Sequence, residues 1–375
     1  MWWYALLLTP QAHLVHNSEE LVQAARRVRP GEEILLASGE YRGGVHITDL
    51  NGQQEQPIVI RSLSPERPAV FRGGGSGLQL SRVSHIELRD IQFRGATGNG
   101  VNIDDGGRPN SSHHITLTRL EVSDLPAGNH DGIKLSGLSD FQVEDCMVQR
   151  WGGSAVDMVG CHRGVIIECV FRQGGDNGVQ TKGGSREIAI QRCRFENAGQ
   201  RGVNAGGSTG FEFFRPPVAQ MGREKYEAKD IVVEGCQFEG GVAAVAFVGI
   251  DGAAFRFNTI INPERWAVRI LQETVDPSFV PSRNGVLLRN LIVFRSGWAS
   301  GGFNIGPNTE PGSFRFTQNW WYCADSPGAR PSLPSVEQDG VYGVDPKITK
   351  GQDGWYVAEL GSPAGGVGAH AWPPD

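Results

Sequence analysis

A chain of 375 residues, of which 39% are hydrophobic, has enough apolar material for a large buried core. Charged residues make up 20% of the chain, the formal net charge is −6, and lysines and arginines form no cluster, so the composition argues against nucleic-acid binding. No apolar run reaches the roughly 18 residues that a membrane span requires. The 52 glycines follow no collagen period and indicate many tight turns between short strands.

The first residues of the sequence, 1–8, read MWWYALLL. They resemble the hydrophobic region of a secretory signal, but they lack its basic start and a clear small-residue cleavage site. The alternative is an apolar segment that packs against the body of the protein. The sequence therefore leaves the compartment unknown, with a secreted or periplasmic location as one possibility.

A short helix is predicted at residues 17–30. Asn17 and Glu20 have the spacing of a capping box, and Pro30-Gly31 ends the pattern. The apolar positions of this segment share one helix face: Leu21, Val22, Ala25 and Val28. We expect the helix to cover the open end of the domain that follows it, whose edge would otherwise be exposed to aggregation.

A repeating unit of three short strands fills residues 34–322. The first strand of the unit has a polar-x-apolar-x-polar form that recurs at Asn99, Asp131, Ser154, Asn177, Arg201 and Trp266. Alternation with period two indicates strands, and self-similarity at a period of about two dozen residues indicates a solenoid. The sequence therefore predicts an all-β fold and one domain over residues 1–375: a single-stranded right-handed parallel β-helix.

The third strand of the unit begins with a small residue: Cys146, Cys169, Cys193, Cys236 and then Asn258. The chain has six cysteines and no CxxC pair, so neither a disulfide framework nor a zinc site fits the spacing. We expect the cysteines to be reduced and stacked inside one corner of the solenoid.

Two segments depart from the repeat. The longest insertion, residues 205–229, brings aromatic residues together with Arg215 and Tyr226 to the edge of the solenoid. Long loops on a compact scaffold are commonly functional. After about Cys323 the sequence becomes rich in proline and glycine, which predicts a C-terminal cover and tail over residues 323–375.

Stacked coils turn the repeated strands into columns of outward-facing side chains. The central column is predicted to hold Asn102, Lys134, Asp157, Gln180, Asn204, Ala246 and Arg269. The column after it holds Asp104, Ser136, Val159, Lys182, Gly206 and Val248. The column before it holds Asn99, Asp131, Ser154, Asn177, Arg201 and Trp266. The middle coils thus present one polar face.

Two lysines on this face have different predicted surroundings. Lys134 lies directly across from Asp157, so an ion pair between adjacent coils is the simplest interpretation, and such a pair makes the lysine a poor base. Lys182 has Val159 and Gly206 as column neighbours, with no carboxylate directly beside it. A lysine in such a place can serve as a general base.

Two N-terminal segments, Glu20 to Gly43 and Gln56 to Ser62, resemble the start of β-helical polysaccharide lyases of the chondroitinase B and alginate lyase type. The turn Lys182-Gly-Gly-Ser185 is similar to the Lys-Ser-like turn of the catalytic lysine in that family. The resemblance implies that Lys182 removes the proton beside a uronate carboxylate. The family's calcium-binding glutamates are not matched, because the equivalent stretch is Gly175-Asp-Asn-Gly178, and its arginine turn is replaced by Gly206-Gly-Ser208.

The leading functional hypothesis is a polysaccharide lyase that cleaves an acidic, uronate-containing polysaccharide by β-elimination. Lys182 would be the base and Tyr226 the acid. Arg201, aided by Asn204, Gln180 and Arg269, would hold the uronate carboxylate. The remaining predicted substrate-binding residues are Lys134, Asp131, Arg215 and Trp266.

Two alternatives stay open. Asp131 and Asp157 lie one coil and one column apart, about 8 Å between Cβ atoms, which suits an inverting glycoside hydrolase. A non-catalytic carbohydrate-binding solenoid is the other. No metal or cofactor is predicted apart from the calcium that the resemblance raises, because His113, His114 and His130 lie on different coils without matched carboxylates and are interpreted as surface or turn histidines. The oligomeric state is left open.

Overall fold

The computed structural model describes residues 11–373, and in them the chain winds into a solenoid of three parallel β-sheets. Each turn of the solenoid contributes one strand to each sheet, so strands that are far apart in sequence lie side by side. This arrangement confirms the predicted parallel β-helix. None of the helices in residues 11–373 is long and apolar enough to cross a membrane.

The strands of each sheet follow one another along the solenoid from the first coil to the last. Sheet 1 has thirteen strands: Ala12–Val15, Glu33–Leu36, Ile58–Ser62, Ser84–Arg89, Ser112–Thr118, Leu138–Glu144, His162–Ile167, Ser185–Gln191, Ala228–Glu234, Ile250–Arg256, Arg283–Leu288, Arg315–Thr317 and Glu337–Gln338. Sheet 2 has ten: Val45–Thr48, Ser76–Ser81, Asn99–Asp104, Ile133–Ser136, Ser154–Val159, Asn177–Lys182, Arg201–Gly206, Ala243–Val248, Trp266–Leu271 and Phe303–Ile305. Sheet 3 has twelve: Gly39–Arg42, Ala69–Arg72, Ile91–Arg94, Glu121–Ser123, Met147–Gln149, Val170–Arg172, Arg194–Glu196, Gln237–Glu239, Thr259–Ile261, Leu291–Phe294, Trp320–Cys323 and Val341–Tyr342.

The N-terminal helix spans Ser18–Ala25 and is shorter than predicted. Its start has the expected N-cap, since the Asn17 side chain accepts a hydrogen bond from the Glu20 N–H. The Glu20 carboxylate accepts from the Asn17 side chain and from the His16 N–H, rather than from the Asn17 N–H as in a full capping box. Its end comes earlier because the N–H groups of Arg27 and Val28 both donate to the carbonyl of Ala24 and tighten the last turn. Leu21 and Ala24 are buried in the core of the first coils. The segment at residues 1–8 lies outside the described residues.

A two-residue corner with a buried second residue joins sheet 1 to sheet 3 in eight consecutive coils. Its first residue has a positive φ in each of them: Arg119, Asp145, Glu168, Arg192, Gly235, Phe257, Arg289 and Gln318. Its second residue points inward and is buried: Leu120, Cys146, Cys169, Cys193, Cys236, Asn258, Asn290 and Asn319. The predicted stack is confirmed for Cys146, Cys169, Cys193 and Cys236, whereas Cys161 and Cys323 lie outside it. All six cysteines are buried and free.

The asparagines at this corner continue the stack by hydrogen bonding. Asn258 accepts from the Cys236 N–H at 2.9 Å and donates to the Val233 carbonyl at 2.9 Å. Asn290 and Asn319 repeat the pattern in the next coils. Buried backbone groups that would have no partner at the corner are thereby satisfied.

The C-terminal segment runs back along the outside of sheet 3. A short antiparallel hairpin, Ile348–Lys350 with Tyr356–Ala358, lies against the sheet. Gln237 joins it through two hydrogen bonds, one donated to the Gly354 carbonyl at 2.8 Å and one accepted from the Tyr356 N–H at 2.7 Å. The segment predicted as a cover and tail is therefore docked on the coils.

Candidate functional site

The middle coils of sheet 2 form the floor of a cleft of about 400 Å³. Its wall is the inserted loop between the strands Arg201–Gly206 and Ala228–Glu234. The cleft is lined from the floor by Lys134, Ser136, Gly137, Val159 and Lys182, and from the loops by Asn129, Ser208, Thr209, Gly210, Phe213 and Arg215. Three of these side chains are cationic, which suits an anionic ligand.

Sheet 2 has the register that the repeat predicts. Asn102, Lys134, Asp157, Gln180 and Asn204 are consecutive partners in the central column, and Ala246 and Arg269 continue it. In parallel strands a given register places side chains of the same column one above another. The polar face is therefore real, although parts of it are more buried than the sequence suggested: Asp157 and Asn204 are each 1% exposed.

Two aspartates and two lysines form a chain of alternating charges under the cleft. Lys134 contacts the carboxylate of Asp157, and its Nζ lies 3.3 Å from Oδ2 of Asp131. Nζ of Lys182 lies 3.3 Å from Oδ1 of Asp157. Both carboxylates are almost fully buried, whereas the lysine side chains are 20% and 18% exposed. The two ammonium groups thus face the cleft and the carboxylates lie beneath them.

The predicted ion pair between Lys134 and Asp157 is confirmed, and it fixes the charge of Lys134. Burial disfavours that charge, but the carboxylates of Asp157 and Asp131 outweigh it and raise the pKa of Lys134 above its ordinary value. Burial also raises the pKa of Asp131, and the nearby charge of Asp157 raises it further. At neutral pH Lys134 is a fixed cation at the cleft floor.

The expectation that no carboxylate lies beside Lys182 is wrong. It rests on direct column neighbours, whereas the side chain of Lys182 reaches diagonally across to Asp157 on the preceding coil. Its Nζ also donates to Oε1 of Gln180 at 3.2 Å. Gly207, rather than Gly206, is the glycine beside it: a Cβ on Gly207 would lie 3.5 Å from Cβ of Lys182 and 2.7 Å from Nε2 of Gln180.

The two arginines predicted to hold a substrate carboxylate lie outside the cleft lining. Arg201 donates to Oε1 of Glu273 at 2.7 Å and to Oδ1 of Asn204 at 3.1 Å. Arg269 lies three coils beyond Lys182, roughly 14 Å along the solenoid. It donates to Asn304 at 2.9 Å, and its guanidinium stands 4.8 Å from the ring centre of Trp266.

Four residues that were predicted to bind the substrate instead contact one another or neighbouring side chains: Arg201, Asn204, Trp266 and Arg269. Trp266 is only 9% exposed, with Arg265 on its ring at 4.3 Å. A buried indole between two guanidinium groups offers little ring surface to a sugar. The structure does not bring these four residues to the cleft.

Residues of the inserted loop have different positions from those predicted. Arg215 lines the cleft, and its Nε donates to Oδ2 of the buried Asp105 at 2.8 Å. Tyr226 is not a lining residue: it packs against a small apolar cluster of Phe214, Met221 and Phe279. The role of Tyr226 as an acid beside Lys182 is therefore not supported by its position.

Glu227 is a site residue that sequence reasoning missed. Its carboxylate is fully buried and accepts hydrogen bonds from the N–H of Gly183 at 2.9 Å, from Thr209 through the N–H at 3.0 Å and the hydroxyl at 2.8 Å, and from the hydroxyl of Thr274. Burial raises the pKa of Glu227, and these hydrogen bonds offset the shift only in part. Glu227 ties the turn after Lys182 to the inserted loop and to a second loop, residues 272–282. It stands in a non-repeating segment, where no periodicity marks it.

The geometry of Asp131 and Asp157 argues against a pair of hydrolase carboxylates. Both carboxylates contact the same ammonium nitrogen of Lys134, so their oxygens lie closer together than the roughly 6.5–9.5 Å of an inverting pair. Both are also buried beneath the lysines, away from a glycosidic bond in the cleft. Their place in the structure is that of counter-ions.

The stretch that corresponds to the calcium ligands of the lyases does not fit a calcium ion. Calcium takes six to eight oxygen ligands, several of them carboxylates. Asp176 is exposed and is the one carboxylate of residues 175–178, while the amide of Asn177 faces Ser154 and Gln180 at 3.4 Å. Residues 175–178 therefore do not form a calcium site of the kind that the resemblance implies.

Comparison with solved structures shows the same fold. An alginate lyase from Paenibacillus sp. str. FPU-7 is 18% identical, with a TM-score of 0.53, over 81% of this chain and 99% of that one. A GH136 lacto-N-biosidase from Eubacterium ramulus is 12% identical, with a TM-score of 0.56, over 88% and 68%. A rhamnogalacturonan lyase is 13% identical, with a TM-score of 0.54, over 82% and 87%. Identities this low establish the fold alone.

Family comparisons agree with the architecture. No curated protein matches the sequence. The Chondroitinase B model matches residues 15–130, which include both N-terminal segments that resemble the lyases. The model described as "Right handed beta helix region" matches residues 76–218 and 109–272, which together span more than half of the sequence. The chain therefore belongs to the right-handed β-helix family.

Proposed function

We propose that this protein is a polysaccharide lyase that cleaves a uronate-containing polysaccharide by β-elimination in the cleft on sheet 2. The observation that carries the proposal is the pair of lysine side chains, Lys134 and Lys182, at the cleft floor above two buried aspartates. β-Elimination from a uronate needs a cation at the carboxylate and a base at the adjacent carbon. The two lysines supply one of each.

Lys134 is the fixed cation. Two carboxylates hold it in the charged state, and one fifth of its side chain stays exposed to the cleft. A uronate carboxylate placed on this ammonium has part of its negative charge neutralised, which makes the C5 proton of the sugar more acidic. Since the aspartates pre-position the ammonium, little reorganisation accompanies binding.

Lys182 is the base. It contacts a single carboxylate, with Nζ 3.3 Å from Oδ1 of Asp157, whereas Lys134 contacts two. In the reaction Nζ of neutral Lys182 takes the C5 proton, the C5–H electron pair forms the C4–C5 double bond, and the C4–O bond breaks. The new ammonium of Lys182 then returns its proton to the leaving oxygen when both lie on one face of the ring.

The loop wall supplies contact surface for the sugar. Phe213 lines the cleft and is 57% exposed, which gives an aromatic face on which a pyranose ring can stack. The proposal also agrees with two of the solved relatives, an alginate lyase and a rhamnogalacturonan lyase, whose substrates are acidic polysaccharides.

The test is absorbance near 235 nm, where the unsaturated product absorbs, during incubation with a panel of uronate polysaccharides. Lys182→Arg retains a positive charge but cannot act as a base at neutral pH. We expect this variant to lose turnover while it still binds the polymer. Lys229→Ala is the matched control, because Lys229 lies on sheet 1 with its own partner, Asp251, at 3.6 Å.

Other outcomes would contradict the proposal in distinct ways. Full activity of Lys182→Arg would show that Lys182 acts only through its charge. New reducing ends without absorbance at 235 nm would indicate a hydrolase. Binding of a uronate polymer by the wild type with neither signal would indicate a carbohydrate-binding protein without catalysis.

A further inference from the structure

Three histidines meet on the outer face of sheet 1, away from the cleft. His85 belongs to the strand Ser84–Arg89, and His113 and His114 belong to the next strand, Ser112–Thr118. The register pairs Ser84 with His113 and skips His85 and His114, which both have a positive φ, 51° and 54°. Each strand therefore bulges at one histidine, and the bulges of adjacent coils coincide.

The bulges bring the three imidazole rings together. The rings of His85 and His114 stack with centroids 4.5 Å apart, and the ring of His113 lies edge-on to both, at 5.2 Å and 5.0 Å. Nδ1 of His113 and Nδ1 of His114 are 2.8 Å apart. One candidate ligand atom from each ring lies within 4.8 Å of the others. Within residues 11–373 this is the one place where three or more histidine, cysteine or carboxylate side chains converge in this way.

We propose that His85, His113 and His114 form a binding site for a divalent transition metal of the zinc class. Imidazole nitrogen is a preferred ligand of Zn²⁺, with bonds of about 2.0–2.1 Å, so two nitrogens of one tetrahedral site stand about 3.4 Å apart. The pair in the second strand is already within that distance. A candidate nitrogen of the partly exposed His85 lies within 4.8 Å of both, and metal binding requires this ring to turn toward them. The proposal is independent of the lyase function.

The nearby carboxylates leave the fourth position to water. Asp140, the bulged residue of the next strand of sheet 1, Leu138–Glu144, accepts two hydrogen bonds of 2.7 and 2.8 Å from Arg163. Glu87 contacts Arg89. An open depression of about 310 Å³ in front of His85 and His114 provides room for a metal-bound water or a small ligand. A bound ion would link two adjacent coils.

Calorimetric titration of the full-length protein with ZnCl₂ tests this site, using protein without an affinity tag in a non-chelating buffer. We expect one Zn²⁺ per chain, and a Kd at least about tenfold weaker in His114→Asn and in His85→Asn. Asparagine accepts a positive φ, so both substitutions preserve the bulge and the fold. Zinc is also expected to raise the Tm of the wild type and not that of either variant.

His130→Ala is the matched control, since His130 is outside the cluster, and it is expected to bind Zn²⁺ as the wild type does. The proposal is overturned if the wild type shows no stoichiometric binding. It is equally overturned if both asparagine variants, folded as judged by their Tm without zinc, keep the wild-type affinity.

Discussion

Replacement of Asp157 by asparagine tests whether the cleft lysines depend on a shared buried counter-ion. Asp157 is 1% exposed and contacts both Lys134 and Lys182. The substitution keeps the size and shape of the side chain and removes only its charge. Lys134 then retains Asp131 as a counter-ion, and Lys182 loses its contact with a carboxylate.

The expected loss of stability follows from the burial of the pair. Removal of one partner of a fully buried ion pair costs about 3–5 kcal/mol. In this protein water reaches about a fifth of each lysine, and Asp131 still lies 3.3 Å from Nζ of Lys134. We therefore expect the free energy of unfolding to fall by about 2–3 kcal/mol, below the range for complete burial.

Urea denaturation measures this loss, because guanidinium chloride is a salt and would screen the charges under study. Asp140→Asn serves as the control: Asp140 pairs with Arg163 on the surface of sheet 1, where both side chains are about a third exposed or more. A surface pair contributes about 0.2–1 kcal/mol. Equal losses for the two variants would refute the view that Asp157 is a buried counter-ion.

Three further predictions concern the loop anchor, the corner stack and the cleft wall. Burial raises the pKa of Glu227 above its ordinary value of 4.5, so between that value and the folded-state pKa the folded protein keeps a proton that the unfolded chain has lost. The free energy of unfolding therefore falls as the pH rises through this range. Glu227→Gln should abolish this slope in urea denaturation followed across pH, and an unchanged slope would contradict it. Asn258→Ala leaves the Cys236 N–H and the Val233 carbonyl unpaired and should lower the free energy of unfolding by about 2–4 kcal/mol in the same assay, whereas a loss below about 1 kcal/mol would contradict the role of the stack. Phe213→Ala should change stability by less than about 0.5 kcal/mol and raise KM for the polysaccharide without a matching fall in kcat, and an unaltered KM would exclude Phe213 from the binding surface.

The sequence predicts the coils well because their register leaves little freedom. Each strand of sheet 2 must place its apolar residue inward, so a shift by one residue would bury the polar face. For this reason the column that contains Lys134, Asp157 and Gln180 could be assigned from the repeat alone. The corner stack of Cys146 and its successors follows from the same constraint.

The site chemistry was less predictable because long side chains do not stay in their columns. Lys182 reaches a carboxylate one column and one coil away, which a count of direct neighbours overlooks. Tyr226 and Glu227 are adjacent in a loop without periodicity, yet one packs in an apolar cluster and the other anchors the turn after Lys182. Such differences depend on tertiary packing, which no local pattern encodes.

The three histidines of sheet 1 illustrate a further limit of sequence reasoning. The pattern of the repeat predicts His113 and His114 as surface or turn residues and gives no reason to group them with His85. The bulges that bring His85 onto His114 depend on the backbone conformation of two strands at once. Each strand has its own bulge, and only the stacking of the two coils brings the rings together.

The constant two-residue corner between sheets 1 and 3 has a consequence for how new specificities can be engineered into this scaffold. It never varies in length over eight coils, whereas the connection from sheet 2 to sheet 1 carries both long loops, 207–227 and 272–282. Segments grafted within these loops would leave the corner stack intact, as long as the buried carboxylate of Glu227 keeps its partners in both loops. The same graft at the corner between sheets 1 and 3 would break the hydrogen bonds of the corner stack, such as the one that joins Cys236 and Asn258. Libraries of altered loops therefore belong at the end of sheet 2, where variation around the Glu227 anchor leaves the corner stack intact.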